Sequence, residues 1–390
     1  MLNRSSIVFC LLLLAACSEV SEPATEQAAS SGERAVAENM SQADERTALA
    51  ANTALPQPST EIALLDCQRR AAMDPYCGYQ NPEDLVHLPG SSYLIVSEMG
   101  EFMADAPGAL SLLNLITGQR EPLAIDWAGD AQNWGDAECA KPNVAAFSPH
   151  GIDLVQRDDG DLSLLVVNHG GREAVEFFSV AASGDLAWRG CAIPPGDPFI
   201  NDVAGRKDGG FYVTHMWDKT ASFEATVAKL SNGEPTGWVW SWTADGGFVR
   251  LAESDDLMPN GIALSGDHST LYVNVYMGNK TYALDLAEEK RIAEIQLRQP
   301  DNVTIDDEGF LWIASHQHDP IGQTCAQVTD GPCLLPFKIY KVDPTAFSTE
   351  TVLDHNGSPM GFATVALKVD DRLYLGSAHG DRVVSVQLTN

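Results

Sequence analysis

The chain has 390 residues and a formal net charge of -30, with 54 acidic side chains against 24 basic ones. Because binding to phosphates needs a basic face, this charge argues against nucleic acid as a partner. Beyond the N-terminal segment, no run approaches the roughly 20 apolar residues that a membrane-spanning helix needs.

The N-terminal segment has the pattern of an export signal. Arg4 precedes an apolar run over residues 7–14, which is too short to span a bilayer, and Leu14-Ala15-Ala16-Cys17 follows. These four residues resemble a bacterial lipobox, so we expect a signal peptide over 1–16 and lipidation of Cys17. An ordinary cleaved signal is the alternative. Ser18, rather than Asp, follows the cysteine, which by resemblance to sorting patterns favours the outer membrane of a Gram-negative bacterium.

Residues 17–60 and 61–390 differ sharply in composition. After Cys17, the first segment is rich in Ala, Ser, Glu and Thr and has no aromatic residue. Such a segment buries too little apolar surface to offset its ordering entropy, so we expect a disordered tether. The folded part is therefore predicted to begin near Glu61.

Six cysteines remain after Cys10 and Cys17 are set aside. An even number in an exported protein predicts disulfides, although six cysteines can pair in fifteen ways. The short separations favour Cys67–Cys77 and Cys325–Cys333, which leaves Cys139–Cys191. A zinc site is the competing interpretation, but no C-x-x-C or His-rich spacing supports it.

One short phrase recurs six times, each time before a strand-like run. The phrases are Glu83-Asp84-Leu85, His150-Gly151-Ile152-Asp153, Asn201-Asp202-Val203, Asn260-Gly261-Ile262, Asp301-Asn302-Val303 and Phe362-Ala363-Thr364-Val365. Strand formers and Gly/Asp turns dominate the chain between them, which predicts repeated small antiparallel sheets. The expected fold is all-β, a six-bladed β-propeller. Another all-β fold with similar turns is the alternative.

The repeated phrases also predict a metal site. Equivalent positions of successive blades converge on the propeller axis, where they place Glu83, His150, Asn201, Asn260, Asp301 and Asn302. Carboxylate and amide oxygens in this number suit Ca²⁺ better than Zn²⁺. Asn-Gly and Asp-Asn are also common turn formers, but five such sites in register favour the metal.

From about Pro82 to the C-terminus, these motifs resemble the paraoxonase/arylesterase-like lactonases, calcium-dependent six-bladed propellers. The resemblance implies two Ca²⁺ ions. It assigns the catalytic ion to Glu83, Asn201, Asn260, Asp301 and Asn302. It assigns a structural ion to Asp84, Asp202 and the carbonyl of Ile152. It also makes His150 and His169 the family's histidine pair.

The chain departs from that family in three places. His215-Met216-Trp217 stands where the family has an Asn-Asp-His triplet, and no cysteine follows Cys333, so ring closure must rest on strand pairing. The segment 101–147 looks extended and is expected to form a surface loop. Two further predictions concern histidines: His316 and His318 are interpreted as a surface pair, and His379 could reach the mouth of the site.

The sequence therefore predicts a lipid-anchored, calcium-dependent hydrolase of small lactones or aryl esters. In this hypothesis calcium polarises the carbonyl, His150 deprotonates water, and His169 holds or relays the proton. Sugar-lactone hydrolysis of the gluconolactonase type is one rival. A non-catalytic propeller that binds a ligand or protein is the other.

Overall fold

A computed structural model describes residues 66–101, 106–129, 134–320, 323–328 and 332–388. The predicted signal peptide (1–16), the lipidation site Cys17, the whole predicted tether (17–60) and the predicted start of the folded part near Glu61 lie outside the described residues. No helix within the described ranges is long and apolar enough to cross a membrane.

The described residues form six antiparallel sheets of four main strands each, which confirms the six-bladed β-propeller. Blade 1 consists of β2 (Pro82–His87), β3 (Tyr93–Glu98), β4 (Ala109–Asn114) and β5 (Arg120–Pro122). Blade 2 consists of β7 (Pro149–Gln156), β8 (Leu162–Asn168), β9 (Ala174–Val180) and β10 (Leu186–Ala192), with β6 (Ile125–Asp126) added in parallel to β10. Blade 3 consists of β11 (Pro198–Gly205), β12 (Phe211–Asp218), β13 (Trp238–Thr243) and β14 (Gly247–Arg250).

The remaining blades follow the same order from the innermost strand outward. Blade 4 consists of β15 (Pro259–Leu264), β16 (Thr270–Val275), β17 (Lys280–Asp285) and β18 (Lys290–Gln296). Blade 5 consists of β19 (Pro300–Ile305), β20 (Leu311–His316), β21 (Phe337–Asp343) and β22 (Ser348–His355). Blade 6 consists of β23 (Ala363–Val369), β24 (Arg372–Ser377), β25 (Arg382–Gln387) and β1 (Met73–Cys77).

The ring closes through β1, which supplies the outer strand of the last blade. It pairs antiparallel with β25, in register from Met73 opposite Val386 to Cys77 opposite Arg382. The predicted closure by strand pairing is therefore confirmed. The disulfides Cys67–Cys77, Cys139–Cys191 and Cys325–Cys333 are also present, each joining the partners that the sequence favoured.

Burial along the strands depends on their place in the blade. In β8, every residue from Ser163 to Asn168 is buried, because both faces of an inner strand pack against neighbouring blades. In β18, an outer strand, exposed and half-buried residues alternate, as expected when one face meets solvent. The position of a strand in its blade thus explains why some strands are continuous apolar runs in the sequence.

Two features differ from the expectations. The segment 101–147 is not simply a surface loop, since it contributes β4, whose central residues are buried, and β5 to blade 1. A helix that the sequence analysis did not predict, α1 (Phe223–Asn232), connects β12 and β13. It begins at Ser222, whose side chain accepts from the Ala225 N–H, and ends at Gly233 with a left-handed φ of 71°.

Candidate functional site

The six repeated phrases are six irregularities at the start of the innermost strands. The strand register shifts between Pro82 and Asp84 in blade 1, and between Pro149 and Ile152 in blade 2. Equivalent shifts occur at the phrases of blades 3 to 6. Bulges of this kind redirect side chains out of the regular pleat. The phrase residues at these bulges are therefore the candidate functional residues.

Two phrase glycines lie where neighbouring inner strands approach closely. A Cβ on Gly151 would lie 2.6 Å from the carbonyl oxygen of Asn201, and one on Gly261 would lie 2.3 Å from that of Asp301. Any side chain there would push the next inner strand away. Glycine at these positions therefore brings the oxygen-bearing residues of successive blades together.

Three aspartates, of which Asp84 and Asp202 are buried and Asp153 is half-buried, join consecutive inner strands. Asp84 accepts the Ile152 N–H at 2.7 Å, Asp153 accepts the Gly205 N–H at 2.6 Å, and Asp202 accepts the Ile262 N–H at 2.9 Å. Each also accepts the N–H of the residue that follows it. Asp84 and Asp202 thus hydrogen-bond neighbouring blades to each other. Ile152 contacts Asp84 through its N–H, whereas the predicted calcium ligand is its carbonyl. The assignment of these residues to a structural calcium stays a prediction.

The predicted catalytic-calcium residues are brought together and are buried. Four of their oxygens have no hydrogen-bond partner among the described residues: Glu83 Oε2, Asn201 Oδ1, Asn260 Oδ1 and Asn302 Oδ1. The amide NH₂ groups of two of them are used elsewhere, since Asn302 donates to Glu83 Oε1 at 2.9 Å and Asn201 donates to His150. Buried polar atoms are normally paired, so this concentration of bare oxygens fits a bound hard cation such as Ca²⁺.

The raised pKa values of the two carboxyl groups in the cluster also fit a bound cation. Burial, followed by the charges of Asp84 and Asp301, raises the pKa of Glu83 well above its ordinary value. Burial raises the pKa of Asp301 to about 8, although a hydrogen bond from Asn260 acts in the opposite direction. In the described part of the chain, the ion-pair partners of these two carboxylates are histidines, His150 and His316. A cation would offset the cost of ionising both carboxyls.

Amide oxygens distinguish this cluster from most metal sites. No group of three or more His, Cys, Asp or Glu side chains within the described ranges could hold a metal ion by itself. Three of the five predicted ligands are asparagines, which such a group does not include. The chemistry of the cluster therefore fits Ca²⁺ and disfavours Zn²⁺, which prefers nitrogen and sulfur ligands.

The structure also brings the predicted histidine pair together. The rings of His150 and His169 lie 4.8 Å apart, edge to face. His150 Nε2 lies 3.0 Å from Asn201 Nδ2 and 3.8 Å from Glu83 Oε1, so this ring borders the oxygen cluster. Burial and the nearby charge of His169 lower the pKa of His150 well below its ordinary value. His150 is thus a neutral imidazole at physiological pH.

Sequence reasoning missed the carboxylate that holds His169. Glu173 Oε2 lies 2.9 Å from His169 Nδ1, and Glu173 Oε1 accepts from Lys219 Nζ at 2.9 Å. The ring of His169 also stacks on Phe199 at 4.4 Å, and Phe199 stacks on Trp217 at 4.3 Å. The spacing of four residues between His169 and Glu173 was a visible but weak signal. Phe199, Trp217 and Lys219 lie in or next to blade 3, and no sequence pattern connected them with His169.

The interpretation of His316 and His318 as a surface pair is wrong. Their relative exposures are 0% and 4%. His316 is stacked on Phe362 at 3.9 Å, its Nδ1 lies 2.9 Å from Tyr276 Oη, and its Nε2 lies 3.5 Å from Asp301 Oδ2. Burial and the charge of His318 lower the pKa of His316 to about 3. Phe362, at the start of blade 6, packs against both rings.

His379, predicted to reach the mouth of the site, binds a neighbouring loop through its backbone. Its carbonyl accepts the N–H of Cys333 at 3.0 Å, next to the Cys325–Cys333 disulfide. Burial lowers the pKa of its side chain. A role in the site stays a prediction.

One family model and several solved structures are similar to this chain. The family model described as the SMP-30/Gluconolactonase/LRE-like region matches residues 194–327, about a third of the chain. Among solved structures, the chain is similar to a gluconolactonase from Xanthomonas campestris, with 17% identity, a TM-score of 0.49, and coverage of 81% of this chain and 89% of that one. It is also similar to the calcium-binding protein regucalcin from Agrobacterium tumefaciens, with 14% identity, a TM-score of 0.45, and coverage of 80% and 91%. No curated protein matches the chain.

Proposed function

We propose that the protein is a calcium-dependent hydrolase of lactones or aryl esters. One observation carries the proposal: four of the predicted ligands have a buried oxygen without a hydrogen-bond partner among the described residues, and two of these residues contact His150 of the histidine pair. The match of residues 194–327 to a gluconolactonase-like region supports the lactone as the substrate class. The resemblance to paraoxonase-like lactonases, carried by the repeated phrases, supports the aryl-ester branch.

Five residues would hold the catalytic ion: Glu83, Asn201, Asn260, Asp301 and Asn302. A Ca²⁺ ion bound there would act as a Lewis acid on the carbonyl oxygen of the substrate. The second, structural ion remains part of the proposal, held by Asp84, Asp202 and the Ile152 carbonyl. Its ligands would then exchange some of the inter-blade hydrogen bonds for metal contacts.

The histidine pair supplies the base. Hydrolysis breaks an O–H bond of water, forms an N–H bond on an imidazole and adds the oxygen to the carbonyl carbon. When the C–O bond of the ester breaks, the proton passes from the imidazole to the released alkoxide. The low pKa of His150 keeps its ring neutral, and the carboxylate of Glu173 stabilises a positive charge on the neighbouring His169.

Two substrate classes have separate support. The name of the matching family region favours polyhydroxylated sugar lactones. The stack of His169, Phe199 and Trp217 instead places half-exposed aromatic surface next to the histidines, which favours lactones with an apolar chain or an aryl leaving group.

A panel of sugar lactones, alkyl lactones and phenyl esters, assayed with Ca²⁺ and after chelation, tests the proposal. We expect turnover of at least one class, its loss on chelation and its recovery when Ca²⁺ is restored. A chain that binds Ca²⁺ but hydrolyses none of the panel would favour the non-catalytic propeller. Turnover that survives complete chelation would refute the role of calcium.

We also propose that the propeller is tethered to the outer membrane through lipidated Cys17. The lipobox-like residues 14–17 support this location. A palmitate analogue should label the wild-type chain and not Cys17→Ser, because only a thiol there can accept the lipid. An unlabelled wild type, recovered free in the periplasm, would refute the tether.

A further inference from the structure

The two histidines of the site differ in which ring nitrogen is free. The Asn201 NH₂ group can only donate, so His150 Nε2 must accept, and the proton of neutral His150 lies on Nδ1. The Glu173 carboxylate can only accept, so His169 Nδ1 donates to it. The basic nitrogen of His169 is therefore Nε2.

The Nε2 atom of His169 is buried and has no hydrogen-bond partner among the described residues. The basic nitrogen of His150, in contrast, already accepts a hydrogen bond from a predicted metal ligand. Of the two imidazoles, His169 is thus the one with an available lone pair. Its side chain is also more exposed, 15% compared with 9% for His150.

Glu173 is held in place from three sides. Lys219 Nζ bonds Oε1 at 2.9 Å, while the Ile200 N–H reaches Oε2 at 3.3 Å beside His169. Burial alone raises the pKa of Glu173, but the charges and hydrogen bonds of His169 and Lys219 outweigh this and lower it. The carboxylate is therefore ionised and fixed, although it is only 7% exposed.

We propose that Glu173, fixed by Lys219, is a positioning residue that makes His169 Nε2 the proton acceptor of the pair. This inference rests on the proposed function and reverses the order of the two histidines that the sequence suggested. A carboxylate on Nδ1 selects the tautomer, orients the ring and stabilises the imidazolium that forms when Nε2 takes the water proton. His150 then supports the site through Asn201.

The test has a spectroscopic part that needs no substrate. In protein labelled with ¹⁵N-histidine, with His169 assigned by comparison with His169→Gln, neutral His169 should show a protonated Nδ1 and an unprotonated Nε2. Glu173→Met removes the acceptor at similar length, and the Nε2–H tautomer should then appear. Asp197→Asn is the matched control, because Asp197 lies 4.0 Å from the same lysine, Lys219, but is not the carboxylate that holds the imidazole.

The kinetic part uses the substrate that the panel identifies. Glu173→Met should lower kcat roughly 10- to 100-fold with little change in KM, as is typical when a group that orients a reacting residue is lost. Glu173→Asp should recover part of the rate, Lys219→Met should lower kcat less than Glu173→Met, and Asp197→Asn should match the wild type. If Glu173→Met does not fold, Glu173→Gln, which keeps the shape but loses the charge, takes its place in the kinetics.

A folded Glu173→Met variant with the wild-type kcat and the wild-type His169 tautomer would overturn the inference. If the wild type hydrolyses nothing in the panel, the proposed function fails, and the tautomer measurement still decides whether Glu173 sets the state of His169. The two failures are therefore distinguishable.

Discussion

His169 and His316 occupy equivalent positions in blades 2 and 5 and each stacks on a phenylalanine, yet they differ in exposure and in hydrogen-bond partners. Asn168 pairs with Pro149 and Ser315 pairs with Pro300, so each histidine is the residue that follows the same strand position. His169 contacts a carboxylate and is partly exposed. His316 hydrogen-bonds a phenol and a backbone carbonyl, has the Asp301 carboxylate 3.5 Å away and is fully buried.

The difference shows that equivalent positions in this ring can give a histidine different polar partners. Glu173 accepts from His169 Nδ1, which leaves Nε2 as the unpaired nitrogen of that ring among the described residues. His316 lies between the Tyr276 hydroxyl and the Ala363 carbonyl, in a site that lowers its pKa to about 3. It is thus suited to holding Asp301 in place and unsuited to taking a proton.

The largest expected effect comes from removing one oxygen of the predicted metal site, which His150 and His316 both border. Asn260→Ala or Asp301→Ala removes an oxygen from the cluster and should abolish turnover together with Ca²⁺ binding by the catalytic site. Asp84→Ala should instead lower the Tm while turnover persists, because Asp84 joins blades 1 and 2. Calorimetric Ca²⁺ titration, thermal unfolding and kcat for each variant provide the measurement. Equal loss of stability in both kinds of variant, with activity unchanged, would contradict the assignment.

The next largest effect separates the two histidines directly. His169→Gln should lower kcat about 10²- to 10⁴-fold, the usual cost of losing a general base, with little change in Tm. His316→Gln should mainly destabilise the fold, by about 1–3 kcal/mol, because it disturbs the buried partners Tyr276 and Ala363. Chemical unfolding and kcat at saturating Ca²⁺ compare the two variants. If His316→Gln costs more kcat than His169→Gln, the two roles are exchanged.

The smallest effect concerns His215, a histidine whose burial outweighs a carboxylate nearby, Asp218 Oδ1 at 3.2 Å from its Nε2. His215 in β12 is 1% exposed and packs against Trp238, and burial lowers its pKa to about 4. The folded state then excludes a proton that the unfolded chain binds below its ordinary pKa of about 6.5. Stability is therefore complete above that pH and falls as the pH drops towards 4, by about 2 kcal/mol between pH 7 and 5.

Urea unfolding at both pH values measures this loss. His215→Phe, which keeps a ring against Trp238 but cannot take up a proton, should show a smaller loss than the wild type. An unchanged pH dependence in the variant would mean that other groups, such as His316, account for the acid sensitivity.

The sequence by itself determined the architecture, because the repeat is local. Each blade has one phrase and one strand-like run close together in the chain, so six copies could be counted without knowing how they pack. The same local pattern located the oxygen cluster, since equivalent positions in a ring must converge on its axis. Short cysteine separations likewise favoured the disulfides, because nearby residues meet often.

Only the tertiary structure decided the surroundings of each histidine. His316 ends β20 and His318 comes two residues later, and no local pattern indicates that Phe362, next to the inner strand of blade 6, packs against both. Lys219 is 46 residues from Glu173, and Asn201 is 51 from His150. Burial and ionic partners are set by contacts between blades, and these depend on packing that no short stretch of sequence encodes.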